Sequence, residues 1–436
     1  MEHPHIPDEA SGIDLTEFCG SPVRFSDEDL SFEHPNALYE RIPEWDNLNL
    51  ESKFFRSPDG SLTLNRLTCF AGGSFGMACH AELKGRGTVQ CIVKIVKVDD
   101  DVNKRVEALK EFMVHAILTH TCSTDPYISE RQELGRMATI AKLYAGFRVK
   151  SYELDFEGGL DTTVQSEYFV FVMENAGGKT LFQQIRQSRG HPHSISSVAA
   201  FATYQVSSLL ERLGDLLQFN HRDLHDENIL VNDRNRTLSG RRMCEMTDMF
   251  TCCVIDFGYS RLTYRGRDIR CSYETIRVAG NPEQAYNLGH DTTYFLRTLR
   301  KIICGSVVVR TPCSVAVIPE LIEFLEAVMM ASGLDFESNA CKSTTREFIA
   351  VLTYVGNFEA LQTCQGGRYA NRTNVIRPYL LHPRTVKMVS ASILRILGVL
   401  CFDPHNAERL AETRAAFHEA LERDIGVEMN LEDISR

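Results

Sequence analysis

The 436-residue chain lacks the features that mark secreted, membrane-spanning and zinc-knuckle proteins. It has one Trp, and no two of its 14 cysteines are spaced C-x-x-C, so neither a zinc knuckle nor a ladder of disulfides is indicated. The start, MEHPHIPDEA, has neither the basic nor the apolar region of a secretory signal. The apolar stretch SVVVRTPCSVAVIPELIEFL is interrupted by Arg310, two prolines and acids. We therefore expect an intracellular protein, in the nucleus or the cytoplasm, with no membrane partner.

Basic residues are scarce at the start of the chain. Residues 1–50 contain twelve acids and two bases, so they carry a charge of −10 out of the total of −11. This balance argues against a nucleic-acid-binding tail or a polybasic membrane anchor. We expect residues 1–50 to be an acidic, partly disordered extension, or else a segment that docks on the folded body or on a partner. The stretch VRFSDEDLSF mixes aromatic and acidic residues, so it is the part expected to pack.

Hydrophobic periodicity predicts an α+β domain over residues 51–436. Residues 61–100 alternate apolar and polar side chains around glycines, which predicts two or three antiparallel strands with a hairpin near Gly85 and Gly87. Residues 103–120 and 194–218 have helical spacing, and EYFVFVMENAGG is typical of a buried strand followed by a connector. A β-rich part is therefore expected to meet a helical part near residue 175.

A short glycine-rich stretch and an isolated lysine supply two parts of a candidate phosphate-binding site. AGGSFG fits G-x-G-x-F-G except that Ala71 replaces the first glycine, and such a turn lets backbone N–H groups approach phosphates. Lys94 lies in the apolar run CIVKIV, so its ammonium needs a partner or a ligand. A helix glutamate would hold this lysine; Glu111 is preferred, and Glu107 is the alternative. The candidate nucleotide-binding residues here are Gly72, Gly73, Ser74, Phe75, Gly76, Lys94 and Glu111.

Two later stretches carry the residues that proton transfer and Mg²⁺ binding require. In FNHRDLHDENILV, Asp223 would accept or orient the proton of a substrate hydroxyl, and Asn228 would hold Mg²⁺. His221 and Arg222 would shape this loop. In CCVIDFGYSRL, Asp256 ends an apolar strand ahead of a Phe-Gly pair, a suitable position for a second Mg²⁺ ligand.

In this order, the glycine turn, lysine, helix glutamate, HRD…N and DFG resemble the eukaryotic protein kinase family over about residues 65–410. The resemblance implies a bilobal protein kinase-like fold with MgATP in the cleft. It implies a small β-rich N-lobe with one key helix, about residues 51–175, and a larger helical C-lobe, about residues 176–436.

The resemblance also implies further roles. Met173 would be the gatekeeper, and Glu174 to Ala176 would be the hinge that offers backbone groups to adenine. Asp291 resembles the helix aspartate that braces the catalytic loop. Pro282 and Glu283 resemble the end of the activation segment, and an ion pair between Glu283 and Arg409 is expected.

Within this family the chain resembles the haspin branch in HRDLH, in SRL after the metal-binding Asp, and in a longer insert between the two motifs. His225 stands where most Ser/Thr kinases of the family have a lysine that neutralises the transferring phosphate. A histidine still donates a hydrogen bond, and it supplies charge when protonated. The chain departs from haspin in keeping DFG and something like P-E. His115 stands where the family usually has an apolar residue.

The predicted function is that of a monomeric Ser/Thr protein kinase that uses ATP and Mg²⁺, with a protein hydroxyl as acceptor and no direct nucleic-acid partner. The predicted catalytic residues are Asp223, Lys94, His225 and Arg222. Two alternatives remain. Small-molecule kinases of the aminoglycoside or choline type also resemble H-x-D-L-H-x-x-N, and a pseudokinase would act as a binding module.

Regulation has two possible forms. Arg222 would receive a phosphate placed within residues 259–280, or that segment is ordered by packing alone. The candidate phosphorylation sites are Ser260, Thr263, Ser272 and Thr275. The same segment is crowded with arginines that we expect to face an acidic partner or the chain's own acidic start: Arg265, Arg267, Arg270 and Arg277.

Overall fold

A computed structural model of the chain combines a curled antiparallel β-sheet region with a mainly helical C-terminal part, an α+β arrangement. It describes residues 25–32, 34–49, 54–73, 76–85, 87–99, 101–129, 134, 136–152, 165–188, 194–233, 250–271, 289–307, 317–331 and 382–425. The chain divides into two compact units. The first comprises residues 1–125, 140–176 and 257–272, and the second comprises residues 126–139, 177–256 and 273–436.

The first unit is built on a seven-stranded sheet of order β1-β2-β3-β4-β5-β8-β7. An isolated parallel bridge between Glu44 and Arg148 brings the β1 end close to the β7 edge, so the sheet curls. Its core is apolar and includes Trp45, Phe55 and Phe147. The strands are β1 (Asp46–Asn49), β2 (Phe54–Arg56), β3 (Thr63–Gly73), β4 (Gly76–Lys84), β5 (Thr88–Lys97), β7 (Leu143–Tyr152) and β8 (Gln165–Glu174).

Two predicted features of this unit are confirmed. The β4–β5 hairpin turns at the predicted place, where Gly85 N–H donates to the Gly87 carbonyl. The predicted helix over residues 103–120 is α3 (Val102–Thr124), which Asp101 caps by accepting hydrogen bonds from the N–H groups of Asn103 and Lys104. Residues 261–264 and 267–270 form a second hairpin, β12 (Arg261–Tyr264) and β13 (Arg267–Arg270).

The described part of the acidic start packs on the first unit. It contains α1 (Asp27–Ser31) and α2 (Pro35–Arg41), whose buried residues include Leu30, Leu38 and Tyr39. Phe25, in the aromatic and acidic stretch expected to pack, is buried, and the ring of Trp45 stacks on Phe147 with centroids 4.0 Å apart.

The second unit is mainly helical. Its strands β9 (Lys179–Thr180), β10 (Ile229–Asp233) and β11 (Phe250–Val254) belong to a sheet of order β6-β11-β10-β9, in which β6 is Thr139–Ile140. The helix predicted at residues 194–218 is confirmed as α6. The apolar strand predicted to end at Asp256 is β11, which ends two residues earlier, at Val254. The helices are α4 (Pro126–Ser129), α5 (Leu181–Gln187), α6 (Ser194–Leu217), α7 (His290–Val307), α8 (Pro319–Ala331), α9 (Pro383–Phe402) and α10 (Ala407–Ile425).

One helix of the described residues, α9, is long and apolar enough to cross a membrane by length and composition alone. More than half of its most apolar window is buried inside the protein, where it packs against α6 and α10. Burial of this kind is typical of the core helix of a folded domain, so the match is weak evidence for a span.

The described cysteines include a buried pair and a disulfide. Cys252 and Cys253 lie buried in β11, and burial raises the pKa of the Cys252 thiol to about 12. Cys69 and Cys79 face each other across β3 and β4 and form a disulfide. The sequence did not indicate this pair, because the two residues meet only through the register of the hairpin.

Candidate functional site

The glycine-rich stretch forms the tip of the β3–β4 hairpin. Gly72 and Gly73 end β3, and Gly76 begins β4 with a φ of 123°. A Cβ placed on Gly76 would lie 2.2 Å from the carbonyl oxygen of Ile95 on β5, so only glycine fits there. Ser74 and Phe75, between Gly73 and Gly76 in the sequence, lie outside the described residues.

Lys94 projects from β5 and pairs with a glutamate of α3. Its Nζ lies 2.6 Å from Oε1 of Glu111, and both side chains are largely buried. Of the two glutamates that the sequence offered, the lysine therefore pairs with Glu111. Ala78 on β4 is the cross-strand neighbour of Lys94, and the ring of Phe171 on β8 lies 6.0 Å from its ammonium.

The register of α3 is set by a close approach to the sheet. Phe112, next to Glu111, packs over Gly146 of β7, where a Cβ would lie 2.2 Å from the phenyl Cε2. Its ring also contacts Phe169 and Phe171 at centroid distances of 5.6 and 6.4 Å. Because the Phe112 ring fills the space that Gly146 leaves without a side chain, it fixes both the distance of α3 from the sheet and the rotation of α3 about its axis.

The expected hinge begins at the end of β8. Met173 pairs with Ile92 and with Leu143 in the sheet, and the Glu174 N–H donates to the Lys142 carbonyl at 2.8 Å. Since its N–H is committed, Glu174 would offer adenine its carbonyl oxygen. Ala176, the third predicted hinge residue, is half-buried at the end of the first unit.

The loop between α6 and β10 in the second unit carries HRDLH and is fixed by Asp291 of α7. The Asp291 carboxylate accepts hydrogen bonds from the backbone N–H groups of His221 and Arg222, each at 2.7 Å, and from the side-chain amide of Asn220 at 3.2 Å. Asp291 is fully buried, so these charge-assisted bonds hold the loop firmly. This is the bracing role that the resemblance implied for Asp291.

The same loop is tied to the end of β11, which leads to Asp256. His221 donates from Nε2 to the Ile255 carbonyl at 3.0 Å, and the Ile255 N–H donates to the Asn228 carbonyl at 3.0 Å. Arg222 and Asp256 both have positive φ, at 67° and 62°. Non-glycine residues pay a steric cost in this region, and such strain is concentrated at functional sites.

The side chain of Asn228 is held by a hydrogen bond within the loop. Its Nδ2 donates to the Asp223 carbonyl at 2.9 Å, which directs the amide oxygen away from that carbonyl. Within the described residues no group of three or more His, Cys, Asp or Glu side chains is arranged to hold a metal. An Asn–Asp pair does not need one, because Mg²⁺ in phosphoryl-transfer sites is bound through one or two protein ligands together with substrate phosphates.

His225 is held in one tautomer beside Asp223. The backbone N–H of Glu227 donates to its Nδ1 at 3.2 Å, so in the neutral ring the proton is on Nε2. That Nε2 lies 3.7 Å from Oδ2 of Asp223, too far for a hydrogen bond but close enough for a charge interaction.

The environment of Asp223 favours its protonated form. Burial raises the pKa of this carboxyl above its usual value, and the nearby carboxylates of Asp256 and Asp291 raise it further. His225 and His221 act in the opposite direction. A carboxylate with a raised pKa is a better base than an ordinary aspartate.

In the first unit, His115 lies one turn after Glu111 and contacts Phe257, the residue that follows Asp256 in the chain. Their ring centroids are 4.8 Å apart, and the His115 Nε2 donates to the Ala141 carbonyl at 2.6 Å. The histidine is therefore buried with its polar edge satisfied at a position where the family usually has an apolar residue.

The segment after Phe257 is ordered as a hairpin. Ser260 is fully buried, its N–H donates to the Phe257 carbonyl, and its own carbonyl accepts from Cys271. Arg261 is buried against Asp268, at 2.9 Å. Over residues 259–271, these hydrogen bonds and this ion pair hold the hairpin. Three expected features involve residues outside the described ones: the phosphorylation sites Ser272 and Thr275, Arg277, and the pair Pro282–Glu283.

Two further contacts bear on the predictions from sequence. Arg409 lies 3.6 Å from Asp403, while its expected partner Glu283 is outside the described residues. Gln205 of α6 was missed: its side-chain amide donates to the Phe250 carbonyl at 2.6 Å and accepts from Cys252 N–H at 2.8 Å, which fixes β11. The sequence feature that could have indicated this role is that Gln205 is a single glutamine among the apolar residues of a predicted helix.

No model of a known protein family matches the chain, and no curated protein matches it either.

Proposed function

We propose that this protein is an ATP-dependent serine/threonine protein kinase with a bilobal protein kinase-like fold. The observation that carries the proposal is the loop held by Asp291, in which Asp223 and Asn228 are fixed next to the strained Asp256. The Lys94–Glu111 ion pair in the first unit supports it independently.

Each residue has a defined task in this proposal. Asp223 accepts the proton of the attacking hydroxyl, and Lys94, held by Glu111, neutralises charge on the nucleotide phosphates. The amide oxygen of Asn228 and the carboxylate of Asp256 would hold Mg²⁺, which supplies further charge neutralisation on the phosphates when bound. Glu174 and Ala176 would bind adenine through backbone groups, with Gly72, Gly73 and Gly76 close to the phosphates.

His225 would provide a hydrogen-bond donor near Asp223 in place of the usual lysine. A histidine two residues after the aspartate is also found in small-molecule kinases, so this residue keeps that class as a second candidate. Arg222, the Phe-Gly pair after Asp256 and the hairpin that follows favour a protein acceptor.

The test offers both classes of acceptor to the full chain. MgATP is incubated with mixed peptides and histones in one arm and with aminoglycosides and choline in the other, and product is identified by mass spectrometry. The proposal expects phosphoserine or phosphothreonine that an Asp223→Asn variant does not form. Phosphorylation of small alcohols alone would assign the second class, and MgATP binding without turnover in either arm would assign a pseudokinase.

A further inference from the structure

We propose that the described acidic start, residues 25–32 and 34–45, is an intramolecular brace that positions α3 and thereby keeps Glu111 on Lys94. The proposal rests on the function proposed above, because the Lys94–Glu111 pair matters only for nucleotide binding. The acidic composition of this segment would by itself predict a solvated extension with no structural role. We call these residues the N-terminal brace.

The first contact of the brace with α3 is made by aromatic rings beside Glu111. The buried Phe25 packs edge-on against Phe112, with centroids 5.9 Å apart and ring planes at 73°. The ring of Phe32 lies 5.6 Å from the ammonium of Lys110. The brace therefore touches the residues immediately before and after Glu111.

The second contact is made by Tyr39 of α2. The guanidinium groups of Arg105 on α3 and Arg148 on β7 both lie 5.2 Å from its ring centroid. Arg105 pairs with Glu167 of β8 at 2.6 Å. The tyrosine therefore joins the first half of α3 to the sheet through two cation–π contacts.

The brace is itself anchored to the sheet. Arg148 donates from Nε to the Ile42 carbonyl at 3.0 Å and pairs with Glu40 at 2.9 Å. Backbone hydrogen bonds link Arg148 with Pro43 and with Trp45. Because Phe112 is seated over Gly146 of the same strand, α3 is held between the sheet and the brace.

The acidic charge of the segment finds basic partners in the same unit. Glu44 lies 3.5 Å from Lys150, and Asp27 lies 3.8 Å from Arg265 at the tip of the β12–β13 hairpin. Exposed pairs of this kind contribute little stability, but they set the direction in which the segment docks. The prediction that Arg265 faces the chain's own acidic start agrees with this contact.

The consequence is that residues of the chain itself hold α3 with Glu111 on Lys94. A merely structural role would make the whole unit less stable when the brace is weakened. A positioning role makes a narrower prediction. Helix α3 should loosen, and MgATP affinity should fall because Glu111 no longer holds Lys94.

The experiment compares full-length wild type with Phe25→Ala and with Asn36→Ala, an exposed position on α2. Amide hydrogen exchange is followed over α3 and, as an internal reference, over β4 of the same unit. Phe25→Ala is expected to accelerate exchange across α3 and to leave β4 unchanged, while Asn36→Ala changes neither. Unchanged exchange in α3, or equal acceleration in β4, would overturn the proposal.

A double-mutant cycle then tests the route through Glu111. Phe25→Ala is expected to weaken MgATP binding by about fivefold or more, as typical for couplings between sites, and to have no further effect in a Glu111→Gln background. Additive losses would overturn the proposal. If Phe25→Ala does not fold, Phe25→Leu keeps apolar bulk without the edge-on ring contact. Wild type that fails to bind MgATP would refute the proposed function, while the exchange measurement would still decide whether the brace orders α3.

Discussion

At the scale of single residues, the proposed chemistry depends on Asp223, a half-buried aspartate whose ionised form is disfavoured. Burial raises the pKa of its carboxyl, two nearby carboxylates raise it further, and two histidines limit the shift. Under the proposed function, the fold therefore tolerates an unfavourable charge at the position of the base. Trade-offs of this kind between stability and activity are common at active sites.

Asp223→Asn is expected to abolish phosphate transfer while raising the melting temperature at neutral pH. The amide has the same shape and carries no buried charge, so the cost of ionising Asp223 disappears. Calorimetry of the two proteins measures the effect. A lower melting temperature for the variant, with transfer retained, would contradict both halves of the prediction.

The pH dependence of these effects follows from the direction of the shift. A carboxyl whose folded-state pKa is raised contributes most favourably below its unfolded pKa and becomes unfavourable as pH rises through the folded pKa. The stability advantage of Asp223→Asn should therefore vanish in acid and grow toward neutral pH. In the same range kcat/KM should rise as Asp223 ionises, at a pH above the usual carboxyl pKa of 3.8. An advantage that is constant with pH would show that the carboxyl is not the cause.

His225 can be tested with a set of three substitutions that separate its two contacts. His225→Ala should lower kcat by about tenfold with little change in ATP binding, and His225→Lys should remain active because it restores a cation near the transferring phosphate. His225→Asn keeps an acceptor for the Glu227 N–H, as in an Asx turn, but does not extend to Asp223. If steady-state kinetics give His225→Asn the kcat of wild type, then the only contribution of His225 is its hydrogen bond with the Glu227 N–H.

At the scale of elements, strand β11 delivers Asp256, and its position depends on one glutamine. Gln205 bonds a carbonyl and an N–H of this strand from the middle of α6. Gln205→Leu should lower the free energy of unfolding by about 2–4 kcal/mol, because two buried backbone groups lose their partners. Denaturant titration measures the change. Asp215→Ala, at an exposed position on the same helix, is the matched control and should change stability by less than about 0.5 kcal/mol.

The sequence predicted most of these elements and left their registers open. The alternating pattern and the glycines located the β4–β5 hairpin, and helical spacing located α3 and α6. The preference for Glu111 over Glu107 as the partner of Lys94 is confirmed by their 2.6 Å contact. The pattern did not show what fixes the register of α3, because that depends on Phe112 seated over Gly146, a contact between distant parts of the chain. The Cys69–Cys79 pairing escaped prediction for the same reason.

At the scale of the whole molecule, charge composition was a poor guide to the acidic start. A net charge of −10 over 50 residues is typical of a solvated segment. The aromatic residues distributed among the acids decide the outcome for residues 25–49, because Phe25, Tyr39 and Trp45 bury their rings in the first unit. The motifs that carry the proposed function, by contrast, were visible in the sequence because each consists of neighbouring residues.

The proposed function predicts that MgATP stabilises the full chain. A ligand at 100 times its Kd adds about 2.7 kcal/mol to the free energy of unfolding, so saturating MgATP should raise the melting temperature by several degrees. Lys94→Met should lose most of this increase, since the phosphates lose their cation. An exposed lysine on α7, Lys301, provides the control Lys301→Met, which should keep the increase. If MgATP raised the melting temperatures of both variants equally, the nucleotide would not be bound by Lys94.

The central claim is that the loop held by Asp291 transfers phosphate. The most direct measurement is the initial rate at which the purified full chain moves the γ-phosphate of MgATP to Ser or Thr in a mixed peptide and histone substrate, with Asp223→Asn prepared in parallel. We predict transfer by wild type and none above background by the variant. Equal rates for the two proteins, or no transfer by wild type to any protein acceptor, would contradict the claim.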